Sequence, residues 1–164
     1  NYSSLNKDSI GIEITNPGHG INYKKFSKAQ LTSLVRLSKF LINKYKINSK
    51  NILGHSDIAP ERKKDPGEKF PWEFLSKKKI GYWYDINQNE LTKNRNLKTN
   101  KKEKNLFLRN LFNIGYQKKI SSNSNFRSFE KIITKSFQRR FRSEIVNGKI
   151  DKECLIISQN LLKK

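Results

Sequence analysis

The chain has 164 residues, of which 34% are hydrophobic and 30% are charged, and its formal net charge at pH 7 is +21. This length allows one ordinary domain or two small ones, and no apolar run approaches the roughly 18 residues that a membrane span needs. The single cysteine, Cys154, excludes an internal disulfide. The positive charge indicates either a polyanionic partner or lysines scattered over solvated faces, and their even spread along the chain favours the second interpretation.

The first predicted element is a strand over residues 9–15, which read Ser-Ile-Gly-Ile-Glu-Ile-Thr. Isoleucine occupies every second position, which is the periodicity of a strand with one buried face. Glu13 would then stand on the opposite face, between Gly11 and Thr15. It is either exposed on a half-solvated strand, which is the commoner outcome, or a carboxylate that lines a cleft.

Residues 27–45 predict an amphipathic helix. Ser27 and Gln30 form a Ser-x-x-Gln capping box, in which each side chain satisfies a free backbone N–H. A stripe with 3.6-residue spacing carries Leu31, Leu34, Val35, Leu41, Ile42 and Tyr45. In the preceding turn, residues 16–20, we expect His19 to be a loop residue rather than a metal ligand. After the helix, Ile52 and Leu53 predict a short buried strand.

Residues 54–72 read GHSDIAPERKKDPGEKFPW and form the most informative segment of the chain. Three prolines and Gly67 exclude a single helix or strand, so His55 and Asp65 lie on irregular backbone. Imidazole nitrogen and carboxylate oxygen are ligands that zinc takes where a site keeps a position open for water. We expect the segment to end in a hydrophobic plug formed by Phe70, Pro71 and Trp72.

This segment resembles the signature of the zinc-dependent N-acetylmuramoyl-L-alanine amidases of the amidase type 2 family. These enzymes cut peptidoglycan between the lactyl group of muramic acid and L-alanine. The string from Leu5 to Glu13 is similar to the family's Leu-Asn-x-x-Ser-Ile-Gly-Ile-Glu, and Gly81-Tyr82-Trp83 is similar to its Gly-x-Trp element. The resemblance covers residues 5 to 84 and implies an α/β fold, with a mixed central sheet and flanking helices.

The resemblance also implies a set of site residues. His55 and Asp65 would be ligands of Zn²⁺, Glu13 would be the catalytic carboxylate, and Lys63 would assist catalysis from two positions before Asp65. A third ligand, a histidine, is expected on a strand upstream of residue 1. We therefore expect this chain to be the carboxy-terminal part of an amidase, with residues 1–84 in the catalytic domain, and to be inactive alone.

Residues 85–105 are dominated by Lys and Asn and predict a linker that is extended by its own charge. Beyond it, residues 106–164 predict three short helices: one stopping before Gly115, one from Phe126 to Phe141, and one after Asp151. We expect the linker to separate this small all-α module from the catalytic domain.

The module resembles the three-helix type of peptidoglycan-binding domain. The matching motifs are Ile-Gly-Tyr at residues 114–116, Phe-Gln-x-x-Phe at 137–141 and Gly-x-x-Asp at 148–151. That family usually has Thr three residues after the Asp, where this chain has Cys154. A generic helical bundle is the alternative interpretation.

The predicted function is zinc-assisted hydrolysis of the amide bond between N-acetylmuramic acid and L-alanine in peptidoglycan or muropeptides. One alternative is a cytosolic amidase that trims anhydromuropeptides during cell-wall recycling, and another is a non-catalytic peptidoglycan-recognition protein. A nucleic-acid binder would need an aromatic and basic motif, and none is present. We expect a monomer in the periplasm or cell envelope, anchored to the outer membrane through an upstream segment, with the cytoplasm as the alternative.

Overall fold

Seven α-helices make up the regular structure of the described residues. The structure, a computed structural model, describes residues 7–20, 22–117 and 126–163. The helices are α1 (Lys28–Tyr45), α2 (His55–Ile58), α3 (Trp72–Lys77), α4 (Gln88–Asn94), α5 (Lys101–Ile114), α6 (Phe126–Phe141) and α7 (Lys152–Leu162). A 3-10 turn, Ser49–Asn51, lies between α1 and α2. None of the helices in these three ranges is both long and apolar enough to cross a membrane.

The capping box predicted for α1 is confirmed. The Ser27 hydroxyl accepts from the Gln30 backbone N–H at 3.2 Å, and the Gln30 side chain accepts from the Ser27 N–H at 2.9 Å. The apolar stripe is only partly buried, because Leu34 lies in a core whereas Tyr45 is 54% exposed. Tyr45 lies outside that core at the end of the helix, where the Lys44 ammonium stands 5.3 Å from the centre of its ring.

The predicted mixed central sheet is wrong for the described part of the chain, which contains no β-strand and only an isolated antiparallel bridge between Lys98 and Asp151. In the predicted strand 9–15, Ile10 and Ile12 are exposed and only Ile14 packs against a core. Leu53, expected in a second buried strand, is exposed as well. The alternating pattern indicates which face would be buried, but a strand also needs a neighbouring strand to satisfy its backbone groups. No described segment provides one.

Two hydrophobic clusters hold the helices together. The larger cluster lies between α4, α5, α6 and α7, and the smaller one is formed by Leu34, Phe70, Trp72, Leu75 and Ile80. The predicted plug is confirmed, since Phe70 and Trp72 are both buried with their ring centres 4.8 Å apart. Trp83 packs against both clusters, so the two cores are in contact.

The three helices predicted in the carboxy-terminal region are confirmed. The first, α5, ends at Ile114, and Gly115 follows with a φ of +119°, a conformation that favours glycine. The side chain of Asp151 caps α7 by accepting from the Cys154 N–H at 3.0 Å. On α6, the apolar residues at helical spacing are buried, namely Phe129, Ile133, Phe137 and Phe141. The domain boundaries stay predictions.

Residues 85–105 are not extended, in contrast to the expectation from their charge. They contain α4 and the start of α5, and Leu91 is 1% exposed in the larger cluster. Arg95 forms an ion pair with the buried Glu153 at 2.6 Å, and the Leu97 carbonyl accepts from the Lys152 N–H at 3.0 Å. Buried apolar contacts, an ion pair and backbone hydrogen bonds therefore fix this segment against the region of α7, despite its polar composition.

Candidate active site

The two predicted metal ligands lie next to each other. His55 is the first residue of the short helix α2, and the N–H of Ser56 donates to the Asp65 carbonyl at 2.9 Å. This backbone hydrogen bond brings Asp65 back beside the helix, so that Nδ1 of His55 and Oδ2 of Asp65 are 2.5 Å apart. The Asp65–Pro66 peptide bond is cis. Two side chains ten positions apart thus converge on one point.

The donor atoms of this pair suit a zinc ion. The His55 and Asp65 side chains are 59% and 55% exposed, so both can rotate and the space in front of them is open to solvent. Metal–ligand distances of about 2.0–2.1 Å in a tetrahedral site would place the two donor atoms roughly 3.3 Å apart, a small opening from their present contact. Within the described ranges, no group of three or more His, Cys, Asp or Glu side chains could hold a metal.

Glu13 and Lys63 are the predicted catalytic residues. Both are exposed, and among the described residues neither forms an ion pair or hydrogen bond with His55 or Asp65. The backbone of Lys63 is fixed by a hydrogen bond from its N–H to the Ala59 carbonyl at 2.9 Å. Their roles therefore stay predictions.

His19 contacts Glu68 and Tyr23 and has no hydrogen bond to the His55–Asp65 pair among the described residues. Its Nε2 lies 2.8 Å from Oε2 of Glu68, and its ring is tilted against that of Tyr23, with the ring centres 4.7 Å apart. The Tyr23 hydroxyl donates to the Pro66 carbonyl at 3.1 Å. A side chain at Gly67 would collide with this tyrosine, because a Cβ built there lies 2.2 Å from its hydroxyl oxygen, and φ at Gly67 is +80°. These contacts attach the turn around His19 to the segment that follows Asp65.

The charge on Glu68 is stabilised by this arrangement. Burial alone would raise the pKa of the Glu68 carboxyl, but the hydrogen bond with His19, its own backbone N–H and the positive charges of His19 and Arg139 together lower the pKa below its ordinary value. Glu68 is therefore an ionised carboxylate at neutral pH, engaged by His19, three positions after Asp65 in the chain.

A buried set of residues behind the loop escaped the sequence prediction. Asp57, two positions after His55, forms an ion pair with Arg140 of α6, and it accepts a hydrogen bond from the Tyr116 hydroxyl at 3.0 Å. The only signals in the sequence were the position of Asp57 beside His55 and the position of Arg140 inside the Phe-Gln-x-x-Phe motif. Neither signal indicates the other partner, because the two residues are 83 positions apart.

Comparison with protein families gives a match that includes this site. Residues 1–68 match the family of N-acetylmuramoyl-L-alanine amidases. The matched range includes Glu13, His55, Lys63 and Asp65, and it ends before the carboxy-terminal helices.

Curated relatives extend the similarity in two ways. The N-acetylmuramoyl-L-alanine amidase AmiD of Escherichia coli (strain K12) is 35% identical over 165 residues, which cover 98% of this chain and 59% of AmiD. The 1,6-anhydro-N-acetylmuramyl-L-alanine amidase AmpD of Enterobacter cloacae is 46% identical over 67 residues, which cover 41% of this chain and 34% of AmpD. The chain thus spans about three-fifths of the length of the first relative and about a third of the second.

Solved structures show the same similarity. The structure of E. coli AmiD in complex with anhydro-N-acetylmuramic acid-L-Ala-D-γ-Glu-L-Lys superposes with a TM-score of 0.73 at 34% identity, over 86% of this chain and 54% of AmiD. AmpDh3 from Pseudomonas aeruginosa superposes with a TM-score of 0.71 at 27% identity, over 90% of this chain and 57% of that protein. A second AmpDh3 structure, in complex with an anhydromuramic pentapeptide, gives a TM-score of 0.69.

Proposed function

We infer that the chain belongs to the N-acetylmuramoyl-L-alanine amidase family, and we propose that the protein hydrolyses the amide bond between N-acetylmuramic acid and L-alanine. The observation that carries the proposal is the solvent-exposed pairing of His55 and Asp65, at 2.5 Å, inside the range that matches the family. A surface pair with no other described partner is available for a ligand, whereas the other carboxylates near it, Asp57 and Glu68, are engaged by neighbouring side chains.

We propose Zn²⁺ as the cofactor, held by Nδ1 of His55 and a carboxylate oxygen of Asp65 together with a histidine outside this sequence. When bound, zinc lowers the pKa of a water ligand to about 7 and polarises the substrate carbonyl. The support from this chain is the donor set and its exposure, since a nitrogen and an oxygen donor converge where solvent and substrate have access.

The remaining chemistry is assigned to Glu13 and Lys63. The Glu13 carboxylate would accept a proton from the attacking water and pass it to the amine of L-alanine as the C–N bond breaks. The Lys63 ammonium would stabilise the negative charge on the tetrahedral oxygen, a contribution whose loss typically costs about 100- to 1,000-fold in rate. Both side chains are exposed and unpaired with the His55–Asp65 pair, so they are free to approach a bound substrate.

Peptidoglycan fragments are the proposed substrates. AmiD and AmpDh3 have been captured with anhydromuropeptides, and the similarity to both covers most of this chain. The similarity to AmiD extends across the three carboxy-terminal helices, whereas that to AmpD stops after about 67 residues. This difference supports an envelope amidase with a wall-binding helical module, and the higher local identity to AmpD keeps a cytoplasmic recycling amidase as the second candidate.

The experiment measures zinc content and peptide release in a protein that includes the upstream histidine. His55→Ala and Asp65→Ala should each lose zinc, because two remaining protein ligands hold the ion poorly. Glu13→Ala should keep zinc and lose turnover, and Lys63→Ala should keep zinc and lose kcat with little change in substrate affinity, because the oxyanion exists only near the transition state.

Two results would contradict these assignments. Loss of zinc from Glu13→Ala would make Glu13 a ligand. A wild-type protein that binds zinc but releases no L-alanine-linked peptide from muropeptides or peptidoglycan would instead be a recognition protein.

A further inference from the structure

Helix α6 lies directly behind the loop that carries His55. Arg140 on this helix is 2% exposed and forms an ion pair with Asp57, which is also buried. The second terminal nitrogen of Arg140 donates to the Ile52 carbonyl at 3.1 Å. Arg140 therefore binds the chain on both sides of His55, through the Ile52 backbone carbonyl three residues before it and the Asp57 side chain two residues after it.

The Asp57 carboxylate is the centre of these contacts. One of its oxygens accepts from the Tyr116 hydroxyl at 3.0 Å, and the other accepts from Arg140 and from the Gly54 N–H at 2.9 Å. Burial and the negative charge of Asp57 raise the pKa of Tyr116 well above its ordinary value, so the hydroxyl keeps the proton that it donates. The turn from Gly54 to Asp57 is thereby closed by groups from two carboxy-terminal segments.

A second contact leads from α6 to the other predicted ligand. The Ser136 hydroxyl donates to the Ser56 carbonyl at 2.6 Å, and the Ser56 N–H in turn donates to the Asp65 carbonyl at 2.9 Å. Ser56, which lies between His55 and Asp57, is thus hydrogen-bonded to α6 through its carbonyl and to Asp65 through its N–H.

The Arg140 guanidinium also packs against the plug that follows the loop. It lies 4.1 Å from the Trp72 ring centre and 5.3 Å from that of Tyr82. An arginine stacked on an aromatic face and paired with a buried carboxylate is held in one orientation. The burial of Trp72 and the position of the loop are therefore linked through one side chain.

We propose that Arg140, with Tyr116 and Ser136, positions the metal ligands, so that the carboxy-terminal helices form the structural support of the site as well as any wall-binding surface. This inference rests on the proposed function only for the identity of the ion. The His55 and Asp65 side chains are 59% and 55% exposed, so their orientation depends on the backbone beneath them. Partners that orient the ligands of a metal typically change its affinity by about 10- to 100-fold when they are lost.

Arg140→Met is the test variant, and Arg142→Met is its matched control. Arg142 lies two positions further along and is 1% exposed. It is paired with Asp151, which caps α7, and with Glu153 on that helix, rather than with the loop. Each variant removes a buried arginine and leaves a buried carboxylate unpaired, so both lower thermal stability. Zinc affinity is measured by chelator competition in a protein that contains the upstream histidine, and amide hydrogen exchange of residues 54–58 is followed without metal.

Arg140→Met should weaken zinc binding by about 10-fold or more and speed exchange at residues 54–58 by more than its loss of global stability accounts for. Arg142→Met should leave zinc affinity close to the wild-type value and speed exchange at these residues by no more than its loss of global stability accounts for. Equal effects of the two variants would overturn the proposal, because they would reflect general destabilisation. If Arg140→Met fails to fold, the milder substitutions Tyr116→Phe and Ser136→Ala test the proposal instead. Each removes one hydrogen bond, and the two together should speed exchange at residues 54–58. A wild-type protein without zinc affinity would refute the proposed metal site, while the exchange comparison would still decide the support role.

Discussion

At the scale of single residues, the Glu68 carboxylate connects two segments of the loop around the site. Its bond to His19 joins the turn at residues 16–20 to the segment after Asp65, and its pKa in the folded chain lies below the ordinary value of 4.5. A carboxyl whose pKa is lowered by folding stabilises the folded state at pH values above its ordinary pKa. That contribution is lost as the pH falls through the lowered value, when both states become protonated.

We predict that Glu68→Gln lowers the free energy of unfolding at about pH 5.5, where the wild-type carboxylate is charged, and that the difference disappears near pH 3. Urea unfolding of both proteins at the two pH values measures it. Glutamine has the shape of a protonated glutamate, so the comparison isolates the charge. A difference that stays constant down to pH 3 would mean that the pairing with His19 does not stabilise the fold.

Cys154 occupies the position at which the peptidoglycan-binding domains that residues 106–164 resemble usually have threonine. Its side chain is fully buried, with the sulfur 3.6 Å from Nε2 of Gln138, and burial raises the pKa of the thiol to about 12. A thiol with this pKa is not a nucleophile at neutral pH. Cys154 is therefore a core residue, and its chemistry plays no part in the proposed reaction.

At the scale of elements, the helices could be predicted because their signals are local. The Ser27–Gln30 box, the glycine after α5 and the aspartate before α7 each lie within four residues of the boundary that they define. The absence of a sheet from the described residues could not be predicted in this way, since the isoleucine alternation at 9–15 describes one strand and not the neighbour that it needs. The charged segment 85–105 was misjudged because Arg95 pairs with Glu153, 58 positions away.

The start of α7 depends on such a distant pair. Asp151 caps the helix through one carboxylate oxygen and forms an ion pair with the buried Arg142 through the other. We predict that Asp151→Ala lowers the free energy of unfolding by about 3–5 kcal/mol, because it leaves a buried guanidinium without its main partner. Denaturant unfolding measures the loss.

Asn100→Ala is the control for this prediction. Asn100 caps α5 by accepting from the Glu103 N–H at 3.0 Å, but it lies at the surface, so its removal should cost only about 1 kcal/mol. If the two substitutions cost the same, the ion pair of Asp151 contributes nothing beyond the cap.

At the scale of the whole molecule, the large positive charge and the buried ion pairs belong to different parts of the structure. Asp57, Asp151 and Glu153 are buried with arginine partners. Most lysines in the described ranges are exposed, in agreement with charge spread over solvated faces. The candidate ligands could be found from the sequence because their motif is short and local. The contacts of Arg140 with the loop could not be found from the sequence. Arg140 is one of 35 basic residues, and only the folded structure shows that it pairs with Asp57.

The contacts across α6 predict how the described parts of the chain unfold. An independent module on an extended linker would unfold separately from the region around His55. The structure instead places Trp72 against Arg140 and packs Trp83 against both hydrophobic clusters, so loss of either cluster exposes groups of the other. We predict a single cooperative unfolding transition. The two hydrophobic clusters share buried contacts and a buried ion pair, so the stability of one depends on that of the other.

The measurement compares two probes during urea unfolding of a Trp83→Phe variant. Its remaining tryptophan, Trp72, reports on the cluster beside His55. Circular dichroism reports on helix content, and more than half of the helical residues in the described ranges lie in α5, α6 and α7. Coincident transitions are expected, and Arg142→Met, which destabilises the carboxy-terminal helices, should shift the Trp72 signal by the same amount. Two separated transitions, with the Trp72 signal unmoved by Arg142→Met, would show instead that residues 106–164 fold independently, as the resemblance to a separate wall-binding domain implies.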